Sequence, residues 1–462
     1  MTSFRIEEDT LGPVKIPADA LWGPQTERSR HNFKTGKKIP LALIRVLIEL
    51  KKAAAQANGA LGQLTSDKTD IMVAAADKLL GLTDEKLERD FPLHIYQTGS
   101  GTQTNMNVNE VIANLAARMD NTITIRPNDE VNHGQSSNDI FPTAMNITAY
   151  LELAQLIAGL EHLIAELDEK RKKYWRTVKI GRTHLQDATP LTFGQEVSGW
   201  VSMLQHDLQF IQALRPSLLE LPLGGTAVGT GMNAAPGFAA AVATRINTRY
   251  HSDFTVKSNK FYGLSAHSAL NAVHGALKTL ASDLLKIAND VRFLASGPRA
   301  GYGELHIPAN EPGSSIMPGK INPTQAEALT MAALRVMGND TVITTAASQG
   351  NFEMNVFKPL IIETFLESVE VLEGTMKGFA DKMIHGLTVN EKRMSELVAD
   401  SLMTVTALSP HIGYHASAKI AQQAEKEGTT LKEAALKSGG KVTAEQFDLW
   451  VDPLKMTNSE GQ

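Results

Sequence analysis

The sequence of 462 residues predicts a mainly α-helical protein built around a bundle of long helices. Three observations predict this fold class. Apolar residues recur at three- and four-residue spacing over several long segments, β-compatible segments are few and short, and polar or glycine-rich connections separate the long segments. Apolar stripes joined by such connections are typical of an extended helical bundle.

The five long segments span residues 142–172, 192–214, 266–295, 324–346 and 355–384. In the third of them, apolar side chains such as Val273, Leu277, Leu280 and Leu284 follow the spacing of one helical face. Its ~30 residues would form a helix of roughly 45 Å. Because helices of this length are unusual in a compact monomer, part of their apolar surface is expected to pack against other subunits.

Short β-compatible pieces are expected at residues 14–16, 122–125 and 177–180. Three domains are predicted. They are a mixed, mainly helical N-terminal domain at 1–138, a central bundle of five long helices at 139–388, and a small helical C-terminal domain at 389–462. A chain of this length can bury a large core.

The composition excludes several classes of function. The formal charge of −5 gives no electrostatic footprint for nucleic acid or an anionic membrane. The absence of cysteine excludes disulfides, thiolate zinc sites, cysteine nucleophiles and iron–sulfur clusters. The acidic N-terminus is unlike a secretory signal or transit peptide, and no apolar run approaches the ~18–20 residues that span a bilayer. A soluble, cytoplasmic protein with no membrane or nucleic-acid partner is therefore expected.

The most informative segment covers residues 313–323, with the sequence GSSIMPGKINP. Glycine and proline punctuate it, so it is expected to be a loop. Its backbone N–H groups, the Lys320 cation and the helix start that follows suit it to hold an anion, and such dipoles could stabilise the alkoxide of Ser314. The glycine spacing and Ile321 after the lysine argue against a nucleotide phosphate loop. A purely structural loop, with Ser314 capping a turn, stays open.

Two polar segments precede predicted helices. Residues 98–107 combine hydroxyls, amides and glycine, which can bind a carboxylate as neutral donors. Residues 126–129 and 135–139 lie just before the helix near Pro142, so that Ser136, Ser137 and Asn138 would sit at its positive end. For both segments, ordinary helix capping is an equally open interpretation.

Residues 181–190 contain His184 between Thr183 and Asp187, in a polar loop that is expected to lead into a helix. A lone histidine is more often a satisfied polar residue than a catalyst, but the ordinary imidazole pKa of ~6.5 suits proton transfer near neutral pH. Glu327, on the helix after the 313–323 loop, could orient an imidazole or could be a solvated glutamate.

Two other patterns carry no function. Residues 229–234 resemble a dinucleotide-binding fingerprint but lack a βαβ context. Neither an HExxH motif nor a close histidine pair supports a catalytic metal.

Taken together, these segments resemble the class II fumarate hydratases of the fumarase/aspartase superfamily over nearly the whole chain. The 313–323 loop is the superfamily signature. His184 selects fumarase, because aspartases have glutamine at this place in a similar segment. The absence of cysteine agrees, since the other fumarase class holds an iron–sulfur cluster. The resemblance is carried by residues 17–26, 97–103, 136–139, 181–190, 223–231 and 313–323.

The resemblance implies a three-domain homotetramer with a twenty-helix core, whose active sites are each assembled from three chains. It implies the reversible trans-hydration of fumarate to (S)-malate without a metal or organic cofactor. Ser314, activated by loop amides and Lys320, would take the carbon-bound proton of malate, and His184 paired with Glu327 would handle water or the departing hydroxide. The substrate-binding positions carried over are Ser100, Gly101, Thr102, Ser136, Ser137, Asn138, Thr183, Ser315, Lys320, Ile321 and Asn322.

A second, non-catalytic dicarboxylate site of the family corresponds to Arg126, Pro127, Asn128 and Asp129, with Arg126 in place of the family's histidine. Arginine can still bind a carboxylate through two parallel hydrogen bonds from its guanidinium group. The chemistry and pH response of this site therefore depend on the replacement of histidine by Arg126. Two alternatives stay open for the whole chain. One is an ammonia-lyase acting on aspartate, with the same fold and loop. The other is a structural protein that keeps this fold without the chemistry.

Overall fold

The computed structural model describes residues 3–459, most of which are helical, so the mainly α-helical fold class is confirmed. In this described part the α-helices are α1 (Pro24–Asn32), α2 (Leu41–Ala60), α3 (Ser66–Leu80), α4 (Asp84–Glu88), α5 (Thr102–Met119), α6 (Ser137–Lys173), α7 (Phe193–Leu214), α8 (Phe238–Tyr250), α9 (Lys260–Ser265), α10 (Ser268–Leu294), α11 (Thr324–Ala347), α12 (Lys358–Phe379), α13 (Glu391–Asp400), α14 (Ser409–Ile412), α15 (Tyr414–Glu427), α16 (Leu431–Leu436), α17 (Ala444–Trp450) and α18 (Pro453–Met456). Short 3-10 helices cover Arg215–Leu219 and Leu402–Leu408, and π-helical turns cover Pro127–Val131 and Ala380–Ile384.

All five predicted long helices are present, as α6, α7, α10, α11 and α12. Two ends differ most: α12 ends five residues before the predicted residue 384, where a π-helical turn follows, and α6 begins five residues before the predicted Pro142. The hydroxyl of Ser136 caps this helix by accepting a hydrogen bond from the backbone N–H of Asn138 at 3.2 Å. Pro142 therefore lies inside the helix, as its sixth residue, where it lacks the N–H that would bond the carbonyl four residues earlier.

The strands pair in small two-stranded sheets. Two of the three predicted β pieces are confirmed, since residues 14–16 lie in β2 and most of 177–180 lies in β3. The prediction for 122–125 is wrong. The side chain of Asp120 accepts hydrogen bonds there from the backbone N–H and the hydroxyl of Thr122, at 2.9 and 2.7 Å, which forms a turn instead. Across residues 3–459 the pairs are β1 (Phe4–Asp9) with β2 (Gly12–Pro17), β3 (Val178–Thr183) with β4 (Gln186–Thr192), β5 (Glu220–Leu221) with β6 (Thr255–Val256), and β7 (Leu305–His306) with β8 (Thr388–Val389).

The chain divides into two compact units. Unit 1 contains Met1–Leu156, Phe210–Lys278 and Arg335–Val371, and unit 2 contains Ile157–Gln209, Thr279–Leu334 and Leu372–Gln462. Each of the five divisions falls inside one of the five long helices. The predicted three-domain division stays a prediction, and its outermost residues 1–2 and 460–462 lie outside the described part of the chain.

Unit 1 has a buried polar layer between three of the long helices. His274 of α10 contacts Asp340 of α11 at 3.0 Å and Ser368 of α12 at 2.9 Å. Asn339 donates a second hydrogen bond to Ser368 at 3.0 Å. A polar group in an apolar interface is tolerated only where its partners are in register, so this layer specifies how the three helices align.

Unit 2 contains its own packed groups. Phe193 and Trp200 of α7 meet edge to face, and the Trp200 indole donates to Asp290 of α10 at 3.1 Å. A separate apolar cluster holds the C-terminal helices, in which Thr430 and Thr443 form capping boxes at the starts of α16 and α17. The cluster consists of Leu408, Ile420, Ala424, Leu431, Ala434, Ala435, Val442 and Phe447.

Helix α6 is long and apolar enough to cross a membrane by length and composition, and it alone is so among the described residues. This differs from the expectation that no apolar run approaches that length. Its side chains at Leu153, Leu156, Leu160 and Leu163 are fully buried within the protein. A core helix of a soluble protein meets the same criterion, so the length of α6 is weak evidence for a membrane span.

One buried acid in unit 2 makes the stability of the protein depend on pH. Burial, followed by the neighbouring carboxyl of Asp283 on α10, raises the pKa of Asp207 on α7 to about 7. A carboxyl whose pKa is higher in the folded state contributes stability when it is protonated. That contribution is present below the unfolded pKa and is lost as the pH rises towards the folded one.

We therefore expect Asp207→Asn to raise the free energy of unfolding by about 1–3 kcal/mol at pH 8.5 and to change it little at pH 4. Thermal unfolding at both pH values measures the effect. The matched control is Asp70→Asn on α3, at an exposed position. An equal stability change for Asp207→Asn at the two pH values would contradict the pKa assignment.

Candidate active site

Residues 313–323 form a loop, as predicted, and its own backbone closes it. The N–H of Gly313 donates to the carbonyl of Lys320 at 3.0 Å, and the Asn322 amide donates to the carbonyl of Gly313 at 2.6 Å. A Cβ on Gly313 would lie 2.3 Å from the Lys320 carbonyl oxygen, so only glycine allows this closure. The loop ends where α11 begins, at Thr324.

Ser314 is held inside this loop by two backbone amides. Its Oγ accepts hydrogen bonds from the N–H groups of Ile316 at 3.2 Å and Met317 at 3.0 Å. Amides that donate to a hydroxyl oxygen stabilise the alkoxide more than the neutral hydroxyl, because the charge develops on the acceptor. The neighbouring side chains of Ser315, Lys320 and Ile321 are exposed.

A cavity of about 640 Å³ in unit 2 adjoins the loop. Lys320, Asn322 and Glu327 contribute to its lining, together with Arg292 and His306, which the sequence analysis did not single out. Glu327 lies in the first turn of α11. Neither Arg292 nor His306 lies in a recognisable motif, so the sequence carries no signal for them.

His184 lies in a tight hairpin turn, and this corrects the predicted loop that leads into a helix. Residues 178–192 form the antiparallel pair β3 and β4, with Thr183 opposite Gln186. His184 and Leu185 are the two turn residues and have φ values of 57° and 61°. Non-glycine residues rarely adopt this left-handed conformation, which costs free energy and recurs at functional sites.

The imidazole of His184 is exposed at the tip of this hairpin. Within residues 3–459 of one chain, no hydrogen bond or ion pair joins it to Glu327. The predicted pairing of these two side chains stays a prediction. Close to the turn, Arg182 forms an ion pair with the buried Glu304 at 2.7 Å.

In unit 1, residues 100–102 form the start of α5. Gly101 occupies the N-cap position with φ of 80°, and the hydroxyls of Ser100 and Thr102 are hydrogen-bonded to each other at 2.8 Å. A Cβ on Gly101 would lie 2.3 Å from the ring of Phe141. Both the backbone conformation and the close contact therefore require glycine at this position.

Residues 136–138 are at the start of α6, as predicted. The Asn138 amide donates to the carbonyl of Ala227 at 2.7 Å. The next residue, Asp139, is fully buried and accepts backbone hydrogen bonds from Ser136 at 2.9 Å, Gly224 at 2.9 Å and Thr226 at 3.1 Å. Burial raises the pKa of Asp139, and the three backbone donors oppose that rise.

The structure brings the two predicted binding segments of unit 1 together. Asn105, in the first turns of α5, donates to the hydroxyl of Ser137 at 3.1 Å. Residues 223–231 join them through their contacts with Asn138 and Asp139. Neutral hydroxyls and amides therefore converge from three segments, as a carboxylate-binding surface requires.

The predicted second dicarboxylate site lies on a separate exposed turn of unit 1. Arg126 precedes the π-helical turn Pro127–Val131, and its guanidinium pairs with Asp129 at 3.3 Å. Both side chains and that of Asn128 are exposed. Because Asp129 already neutralises Arg126, an incoming carboxylate would have to compete for it.

Over residues 3–459, no group of three or more histidine, aspartate or glutamate side chains could hold a metal ion. The predicted site residues of unit 1 supply hydroxyl and amide groups, and those of unit 2 supply the Ser314 hydroxyl, the Lys320 amine and the His184 imidazole. The chemistry they can perform is proton transfer and anion stabilisation.

Comparisons with known proteins identify the family. A family model described as "Lyase" matches residues 12–338, and one described as "Fumarase C C-terminus" matches residues 405–458. A class II fumarate hydratase from Listeria monocytogenes serotype 4b is 54% identical over 456 residues, which cover 98% of this chain and 99% of the relative. This chain belongs to the class II fumarate hydratases.

Other relatives of this class II fumarate hydratase family agree. The Bacillus subtilis protein is 53% identical over 459 residues, covering 98% of each sequence. The crystal structure of the class II fumarase from Schistosoma mansoni superposes with a TM-score of 0.93 at 43% identity, covering 98% of this chain and 99% of that one. The resemblance found in the sequence is thus confirmed.

The close contact at Gly101 generates a stability prediction. We expect Gly101→Ala to lower the free energy of unfolding by about 2–4 kcal/mol, because the new methyl group adds a clash with Phe141 to the left-handed strain. Gly62→Ala is the matched control, since Gly62 has φ of 70° with no atom near its missing Cβ. Strain alone should cost the control about 1–2 kcal/mol. The unfolding midpoints, taken at one protein concentration, distinguish the two, and equal losses would contradict the packing argument.

Proposed function

We propose that this chain is a fumarate hydratase, which catalyses the reversible trans-hydration of fumarate to (S)-malate in the tricarboxylic acid cycle. Membership of the class II fumarate hydratases supports this reaction. The observation that carries the chemistry is the geometry of Ser314, whose Oγ accepts two backbone hydrogen bonds in the 313–323 loop. Such a group is suited to act as a base towards a carbon-bound proton.

In the proposed mechanism the alkoxide of Ser314 takes the proton from the carbon next to one carboxylate of malate. The electron pair of that C–H bond moves into the carboxylate and forms an aci-carboxylate with extra negative charge. Stabilising this charge where it develops is usually the largest catalytic contribution, and the exposed Lys320 and the loop amides are the donors for it.

The aci-carboxylate then collapses to form the double bond of fumarate and breaks the bond to the hydroxyl group. His184, paired with Glu327, donates the proton with which the hydroxyl departs as water. In the hydration direction the same imidazole accepts a proton from the attacking water. The exposure of His184 in a tight turn suits it for contact with a ligand.

The two carboxylates would be bound by neutral donors and one cation. The unit 1 donors come from the starts of α5 and α6, where side chains already converge through the Asn105–Ser137 hydrogen bond. Backbone groups at Gly101, Ser136 and Ile321 would complete the pocket. The side chains proposed for this role are Ser100, Thr102, Ser137, Asn138, Thr183, Ser315, Lys320 and Asn322.

We propose a homotetramer in which each active site takes residues from three chains. One chain leaves His184 and Glu327 without the expected contact. Large apolar side chains on the long helices also remain exposed in one chain, among them Met331 at 66% and Leu334 at 59% on α11. Exposed apolar patches of this kind usually mark subunit interfaces.

Three further assignments are part of the proposal. Residues 126–129 form the second dicarboxylate site, where Asp129 competes with the ligand for Arg126. The reaction uses no metal or organic cofactor. The protein is soluble and cytoplasmic, with fumarate and malate as its small-molecule partners.

The direct test is the absorbance of fumarate in the ultraviolet after malate is added to the purified protein. We expect absorbance to appear with the wild type, and turnover to fall by about three orders of magnitude or more in Ser314→Ala. The matched control is Ser348→Ala, because the exposed Ser348 hydroxyl donates to the carbonyl of Thr345 and accepts from the neighbouring Gln349 amide just after α11. Near-normal turnover of Ser314→Ala would refute its role as base.

The same assay separates the alternatives. An ammonia-lyase would release ammonia from aspartate and give no absorbance with malate. A structural relative without the chemistry would be silent with both substrates.

Subunit mixing tests whether sites are shared. We expect Ser314→Ala and His184→Asn each to be inactive alone, while hybrids made by unfolding and refolding the two together regain part of the wild-type activity. A hybrid site can draw an intact Ser314 from one chain and an intact His184 from another. Hybrid tetramers without activity, confirmed as mixed by mass spectrometry, would contradict sharing.

A further inference from the structure

Lys51 is a buried cation beneath the proposed substrate-binding segments. It lies on α2, is 2% exposed, and donates from Nζ to the side-chain carbonyls of Asn132 at 3.0 Å and Gln135 at 2.8 Å. Burying a lysine is costly, and it is usually offset by a paired carboxylate. Here both hydrogen-bond partners are neutral amides, so an ion pair does not explain why Lys51 is buried.

An ammonium group can only donate hydrogen bonds, so it determines which end of each neighbouring amide faces it. Asn132 must present Oδ1 to Lys51, which leaves its Nδ2 to donate to the carbonyl of Gln135 at 3.1 Å. The same Oδ1 then accepts from the amides of Asn105 and Asn109, each at 3.1 Å.

The orientation passes from Asn132 to Ser137. Because Asn105 has to present Nδ2 to Asn132, this nitrogen also faces the hydroxyl of Ser137 and donates to it at 3.1 Å. The oxygen of Asn105 is buried and has no hydrogen-bond partner within residues 3–459. An amide kept in an orientation that leaves its oxygen unpaired is being held by its nitrogen contacts.

A hydroxyl that accepts from Asn105 keeps its one proton free to donate elsewhere. Ser137 is proposed above to bind a substrate carboxylate, which can only accept. If Asn105 were reversed, its oxygen would compete with the ligand for the Ser137 proton. The direction of one buried amide therefore decides whether Ser137 can serve as a donor.

We infer that Lys51 is a positioning residue for the reaction, which sets the direction of the Asn132–Asn105–Ser137 hydrogen-bond chain so that Ser137 donates to a carboxylate of the substrate. This inference rests on the proposed function. Lys51 does not touch the substrate and takes no part in the proton transfers.

The charge of Lys51 is responsive to what binds nearby. Burial lowers the pKa of Lys51 to about 7, and the field of the buried Asp139 carboxylate opposes that shift. A dianion bound at Ser137 favours the charged, donor-only form of the amine. The bound ligand and the charged Lys51 therefore favour the same direction of the Asn132–Asn105–Ser137 hydrogen-bond chain.

The test compares Lys51→Met with Lys51→Arg in the intact assembled enzyme. We expect Lys51→Met to raise KM for malate about tenfold or more, because the hydrogen bond from Ser137 to a substrate carboxylate is lost. The kcat should stay within about threefold, because the base Ser314 is not affected. Arginine, also a donor only, should restore most of the affinity. The control is Lys52→Met, since Lys52 pairs with Asp77 at the surface.

A double-mutant cycle separates positioning from general destabilisation. If Lys51 acts through Ser137, adding Lys51→Met to Ser137→Ala should raise KM no further. Should Lys51→Met fail to assemble, Asn105→Ala replaces it in the cycle, with the same non-additivity expected. Additive effects, or a KM for Lys51→Met equal to that of Lys52→Met, would overturn the inference. A wild type without activity on malate would instead refute the proposed function.

Discussion

The buried carboxylate of Asp139 is the interaction on which the arrangement of unit 1 depends. It accepts backbone hydrogen bonds from Ser136 on its own chain segment and from Gly224 and Thr226, far away in sequence. One side chain thus fixes the start of α6 and docks residues 223–231 against it. A buried charge without these donors would be strongly destabilising, so the local fold and the carboxylate require each other.

The Lys51 amine provides the opposite charge in the same region, without touching Asp139 directly. Its two neutral partners, Asn132 and Gln135, carry its influence towards the binding segments. In a low-dielectric environment such a network is valuable only when each member has a defined direction. Buried polar groups in this part of the chain therefore specify geometry at the proposed site more than they add stability.

The sequence predicts the helices well and the contacts of the site poorly, for a physical reason. Helical periodicity is local, so all five long helices can be read from spacing alone. The hairpin at His184 could not be read, because its turn residues lack the glycine or asparagine that mark left-handed turns. Lys51 was also missed, since a lysine on an amphipathic helix is normally solvated and only tertiary packing shows that this one is buried. The motif residues themselves could be predicted, because their types and order carry the family resemblance.

Assembly and catalysis are expected to use the same surfaces of this chain. In one chain the 313–323 loop is open to water, with Ile316 83% exposed and Lys320 also exposed. Water competes for the amides that hold the Ser314 oxygen and weakens every electrostatic interaction there. A neighbouring chain that covers the loop would exclude this water and bury the apolar side chains of α11 at the same time. In the proposed assembly Ser314 would therefore be a stronger base than in one chain alone, because its oxyanion would be stabilised by amides from which water is excluded.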